Sequence, residues 1–141
     1  MTHNIVERYE LTEDLRVFGN RVEDFPKGIE RAFRVLADAI PDGLTRSYYG
    51  LSYLVDGKME YYVTVEEKSK GEAEKYGYPT HTIKKGSYSF IALKDWRSKT
   101  HLIHDIFSSL SDEDFVSDKN HPLVEWYKNE NEMLCMVREQ Q

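Results

Sequence analysis

The sequence predicts an α+β fold: two β-α-β-β units related by a pseudo-two-fold axis, with antiparallel sheets, two packed helices and a ligand cleft between the halves. Three observations predict it. An ungapped offset of 74 residues lays Ile29 on Ile103, Phe33 on Phe107, Leu36 on Leu110, Tyr53 on Tyr127, Met59 on Met133 and Val63 on Val137, which marks an internal repeat. The same order of strand and helix patterns recurs in both halves. A length of 141 residues, 40% hydrophobic and 31% charged, suits one globular domain that buries its own core. The expected domain is 1–141, with one half over 5–66, a connector over 67–78 and a second half over 79–139.

The first half opens with extended stretches around Val6 to Tyr9 and Leu15 to Val22, where Gly19 predicts a bulge or bend. From Lys27 to Ile40, Ile29, Ala32, Phe33, Leu36 and Ile40 recur at helical spacing, and Pro41-Asp42-Gly43 supplies the stop. Strands Ser47 to Leu54 and Lys58 to Glu66 follow, joined by Asp56-Gly57, a strong hairpin signal. The charged stretch Glu67 to Tyr78 contains Gly71 and Gly77 and reads as the connector, with a helical turn at Glu72 to Tyr76. The second half gives a strand Thr80 to Lys94 with a turn at Lys84-Lys85-Gly86, then a helix Lys99 to Leu110. An acidic loop from Asp112 to Asp114 through Asn120 leads to strands Leu123 to Lys128 and Glu132 to Glu139, joined at Asn129-Glu130-Asn131.

Composition excludes several functions. A net charge of −6 and a pI near 5.4 provide no basic footprint for direct nucleic-acid binding. Met1-Thr2-His3-Asn4 lacks the start of a signal peptide, and no apolar run approaches the roughly 18 residues of a membrane span, so a cytoplasmic protein is expected. Cys135 is the single cysteine, which excludes an intrachain disulfide and reads as a small buried strand residue. Ten tyrosines raise the aromatic share to 13%, a composition that lines pockets needing an apolar body and a polar tip.

Glu125 is the candidate site residue. Alternation along Leu123-Val124-Glu125-Trp126-Tyr127 puts the carboxylate on one face between Leu123 and Tyr127. On a buried face it loses hydration worth several kcal/mol unless a cation, a donor or a proton compensates. The 74-residue offset makes Leu51 its twin, flanked by Tyr49 and Tyr53, so the slot is apolar in one half and acidic in the other. Tyr49 and Tyr127 are then its aromatic neighbours, while Trp126 points away and packs against a helix. Trp96 either lines the cleft mouth or caps the second helix. The plainer alternative for Glu125 is a surface carboxylate or an ion pair with Lys84 or Lys85. His101, His104 and Asp105 have a chelating spacing but fall beside the core stripe, on a solvated face. His81 and His121 stand singly near turns and read as surface groups. No metal site, cofactor motif, phosphate loop or nucleophile elbow is expected.

The ordered motifs Tyr48-Tyr49-Gly50, Met59 to Val65, Thr82 to Tyr88 and Glu125-Trp126-Tyr127 resemble the gyrase-inhibitor-like small-molecule-binding domain. This is the effector-binding module of bacterial transcription activators, with a SOUL-like fold. The likeness spans nearly the whole chain but departs at the carboxy end, where Met136-Val137-Arg138-Glu139 replaces the usual close. The resemblance implies a duplicated β-α-β-β fold, a cleft for diverse cationic aromatic compounds, and a ligand-facing glutamate at Glu125 with Tyr61 on an aromatic position of the hairpin. The chemistry agrees: a partly desolvated carboxylate attracts a lipophilic cation, and aromatic faces each add roughly 0.5 to 2 kcal/mol. The expectation is a stand-alone sensor or sequestering protein for small hydrophobic or cationic aromatic ligands, rather than an enzyme. Two alternatives are carried, a hydrolase of cyclopropane-containing compounds using Glu125 and a protein-interaction module such as a gyrase inhibitor.

Overall fold

The Asp56-Gly57 hairpin forms as its chemistry requires. In the computed structural model, which describes residues 5–25, 27–111 and 117–140, these two residues take φ of 51° and 78°. Positive φ at both positions gives the turn whose twist matches paired strands. It joins β3 (Tyr48–Val55) to β4 (Lys58–Glu66), with Val55 opposite Lys58. The expectations at Met1-Thr2-His3-Asn4 and at Asp112 to Asp114 lie outside the described residues.

The other strands are β1 (Glu7–Leu11), β2 (Leu15–Arg21), β5 (Thr80–Ile83), β6 (Gly86–Lys94), β7 (Leu123–Tyr127) and β8 (Glu132–Arg138). All eight form one sheet in the order β1-β6-β8-β7-β3-β4-β2-β5. Every pairing is antiparallel, and the sheet curls into a half-barrel. The expected strand Thr80 to Lys94 is two strands that do not pair: β5 lies on β2, whereas β6 lies between β1 and β8. Gly19 sits in regular pairing opposite Thr64. Its role is close approach, since a Cβ there would lie 1.8 Å from the Val63 carbonyl oxygen.

Three helices complete the described chain: α1 (Ile29–Ala39), α2 (Glu72–Tyr76) and α3 (Ile103–Ser111). The α1 stripe Ile29, Ala32, Phe33 and Leu36 packs on Phe18 of β2 and on Tyr61, Val63 and Val65 of β4. Ile106, Phe107 and Leu110 of α3 pack on Ile91 and Leu93 of β6 and on Met133, Cys135 and Val137 of β8. The sheet register places these strand residues on one face, so both helices cover the same side. Helix α3 starts later than the Lys99 expected, after 3-10 turns at Trp96–Ser98 and Thr100–Leu102. The opposite face carries its own core of Val17, Tyr49, Leu51, Tyr88, Val124, Leu134 and Met136.

Two expectations are corrected by this register. Leu51 lies opposite Val124 and Glu125 opposite Gly50, so Leu51 and Glu125 face opposite sides and the ungapped offset fails in β7. Helical stripes tolerate a one-residue slip, whereas in a strand one residue reverses the face. Trp126 packs in the helix-free core, 6.0 Å from Tyr9 and stacked at 6.1 Å on Tyr49. It meets no helix because both helices lie on Glu125's side.

Arg46 fixes the connector to the start of β3. Its Nη1 and Nη2 donate to Glu72 Oε1 and Oε2 at 2.8 and 2.6 Å, and both side chains are buried. No helix among the described residues is long and apolar enough to cross a membrane.

Candidate functional site: a buried carboxylate in an aromatic shell

Glu125 is the middle residue of β7, between Gly50 of β3 and Cys135 of β8. Its carboxylate turns to the helix-covered face and is 7% exposed. Tyr61 Oη donates to Oε1 at 2.7 Å and Tyr127 Oη donates to the same oxygen at 2.5 Å. Tyr61 comes from β4 and must reach over β3 to do so. Gly50 makes this possible, because a Cβ there would lie 2.0 Å from Tyr61 Oη and 2.8 Å from Glu125 Oε1. Sequence reasoning passed over Gly50 as a site residue. Its signal was a glycine inside a strand otherwise rich in tyrosine, which marks close approach of a neighbouring group.

Among the described residues, no Arg, Lys or His pairs with Glu125, and no donor reaches Oε2. The alternative ion pair with Lys84 or Lys85 does not form. Burial raises the Glu125 carboxyl above the usual carboxylate range, an effect that the hydrogen bonds from Tyr127 and Tyr61 partly offset. Burial, reinforced by the neighbouring carboxylate, drives both phenols well above their ordinary range and lifts the Cys135 thiol too. The two short bonds therefore keep their protons on tyrosine.

Aromatic rings enclose this pair of phenols. Phe25 stacks on Tyr61 at 5.1 Å between centroids and 27° between planes. Phe33 of α1 meets Tyr127 edge-on at 5.1 Å, and Trp96 does so at 5.0 Å. Phe33 also contacts Tyr48 at 6.0 Å. Trp96 is held by its Nε1 donating to the Asn129 carbonyl at 3.0 Å and by Arg97 stacked 4.7 Å from its ring. Of the residues singled out from sequence, Glu125, Tyr127, Tyr61 and Trp96 come together. Tyr49 does not, because it lies on the other face of β3 against Trp126. Phe25, Phe33 and Gly50 are the additions.

Two surface grooves of about 280 and 270 Å³ border α1 and α2, and neither is lined by Glu125. His121 is buried rather than superficial. Its Nε2 accepts from the Lys84 amide at 3.1 Å and its Nδ1 donates to the Pro122 carbonyl at 2.9 Å, and burial holds its pKa down to about 4. It is a neutral structural link. His81 packs between Tyr53 and Tyr62 in the helix-free half of the core. His101 and His104 are exposed, as expected, and no metal-binding cluster occurs among the described residues.

No family model and no curated protein matches the chain. Solved structures do share its fold over almost its whole length. An integron cassette protein from the mobile metagenome of Vibrio cholerae superposes with a TM-score of 0.64 at 15% identity, covering 96% of this chain and 95% of its own. SAV2435 bound to tetraphenylphosphonium gives 0.60 at 17% identity, covering 97% and 94%. A hydrolase from Listeria innocua gives 0.60 at 8% identity, covering 96% and 91%. A putative bacterial transcription regulation protein from Staphylococcus aureus gives 0.52 at 15% identity.

Proposed function

We propose that this chain is a single duplicated domain that binds small lipophilic cations carrying aromatic rings, in a sensing or sequestering role linked to regulation. The observation that carries the reading is Glu125: a buried carboxylate with two phenolic donors, no cationic partner among the described residues, and a shell of Phe25, Phe33, Tyr48, Tyr61, Trp96 and Tyr127. An ion in that position lacks its charge complement, and a cation with aryl groups supplies both the charge and surface for the rings. The ligand of SAV2435 is such a cation. The strand order supports duplication, since β4, β2, β5 and β8, β6, β1 run outward in matching fashion from the central β3–β7 pair.

The test is a titration with tetraphenylphosphonium. Glu125→Gln is expected to weaken binding at least ten-fold, about 1.4 kcal/mol, with the fold retained. Equal affinity of the two proteins sinks the reading. A second reading, hydrolysis, has one observation in its favour: a carboxyl of raised pKa beside two hydroxyls is equipped to move a proton, and a fold neighbour is a hydrolase. Recovery of chemically altered ligand after incubation would favour it over binding.

A further inference from the structure

Phe25 holds an unusual place in the aromatic shell. Tyr61 is 1% exposed and Phe25 is 41% exposed, so Phe25 is the outermost layer over Tyr61, and it alone lies stacked on the phenol while Phe33 and Trp96 meet Tyr127 edge-on. It belongs to no helix or strand; it lies in the turn between β2 and α1. A planar aryl group laid on Tyr61 at about that spacing would bring an attached cationic centre towards Glu125, whose Oε1 is 2.7 Å from Tyr61 Oη. The face of a phenol is also where a cation or an aryl ring bound to one gains most.

We propose that Phe25 occupies the ring position of the ligand in the free protein, so that an aryl cation binds by displacing it. The inference rests on the binding role assigned to Glu125 and adds the shape of the ligand: one aryl ring replaces the Phe25 ring on Tyr61, and the cationic centre lies alongside, facing the carboxylate oxygen that has no donor. The exchange substitutes one stacked ring for another, so the stacking with Tyr61 is conserved and the new attraction to the carboxylate drives binding. Tyr61 then sets selectivity, because a cation without a flat ring displaces Phe25 and leaves Tyr61 uncovered.

The experiment titrates tetraphenylphosphonium and, separately, tetrabutylammonium into wild type, Phe25→Ala, Phe25→Leu and Glu125→Gln, after circular dichroism and thermal unfolding confirm that each is folded. Removing the competing ring is expected to tighten tetraphenylphosphonium by about three- to ten-fold, the equivalent of one aromatic stack. Phe25→Leu, which keeps bulk but not a flat ring, is expected to shift it the same way by less. Wild type should prefer tetraphenylphosphonium over tetrabutylammonium, and Phe25→Ala should tighten both by a similar factor, since each has to displace the same ring. Unchanged or weaker binding by both Phe25 variants, with Glu125→Gln still impaired, overturns the displacement and makes Phe25 an ordinary wall of a site that stands. No binding by any of the four proteins overturns both the site and the displacement.

Discussion

Replacing Glu125 with glutamine is expected to stabilise the free protein at neutral pH, because the wild-type side chain is a charge or a forced proton in a place that suits neither. The amide has nearly the same volume and keeps an oxygen that accepts from Tyr61 and Tyr127, so the contacts at 2.7 and 2.5 Å persist in neutral form. What disappears is the extra strength of bonding to an anion, roughly 1 kcal/mol for each of two bonds. What is relieved is the desolvation of a buried ion, several kcal/mol. If the native carboxyl instead takes up a proton, the free energy of protonating it at neutral pH plays the same part. The balance favours glutamine by about 1 to 3 kcal/mol, and for a chain of 141 residues each kcal/mol raises Tm by roughly 3 to 4 °C.

The difference in stability between the two proteins also depends on pH. Burial raises the folded-state pKa of Glu125 above its ordinary value of 4.5. Stability associated with the protonated carboxyl is therefore fully present below that ordinary value and is lost as pH rises through the folded pKa. The advantage of the glutamine variant should be largest near neutrality and close as the pH falls to about 4. Urea unfolding of both proteins across that range measures it. A variant less stable than wild type near neutrality, or a gap that does not move with pH, would show that the carboxylate is already compensated in the free protein. The case for a site awaiting a cation would then fail.

Two further substitutions probe the supporting structure. Gly50→Ala places a methyl 2.0 Å from Tyr61 Oη, so it should cost about 1 to 3 kcal/mol by overpacking, measured by thermal unfolding, and should abolish cation binding by expelling the Tyr61 phenol. Arg46→Met leaves Glu72 buried without its bidentate partner and should cost roughly 3 to 5 kcal/mol in urea unfolding, whereas Arg46→Met with Glu72→Leu should recover much of it.

The parts of this fold that rest on local chemistry were legible in the sequence. Asp56-Gly57 dictates a turn whatever surrounds it, and the stripe of Ile29, Ala32, Phe33 and Leu36 finds the sheet because nothing else can bury it. The pairing of β1 with β6 was not legible, nor that of β5 with β2. Either hairpin, β1 to β2 or β5 to β6, satisfies the same local pattern, and the choice depends on how the whole sheet curls. The burial of His121 belongs to the same class, fixed by Lys84 and Tyr88 far along the chain. For the site, alternation put Glu125 and Tyr127 on one face correctly and brought Tyr49 in only through the repeat offset, where a slip of one residue changed its side.

The arrangement of donors around Glu125 connects stability to recognition. Both phenols serve Oε1, while no described residue donates to Oε2. Had the site evolved only to tolerate a buried acid, a guanidinium from a neighbouring strand would satisfy both oxygens, as Arg46 does for Glu72 in the same protein. The contrast between the two carboxylates is informative because they share one chain and the same low surface exposure of 7%: one is neutralised within the fold, the other is held only by hydroxyls that position it. A phosphonium or quaternary ammonium centre has no hydrogen to donate and needs only proximity to negative charge, which the bare Oε2 offers without fixed geometry. The free energy withheld from folding at Glu125 is then recovered when such a cation arrives, so stability lost and affinity gained should move together across substitutions at this position.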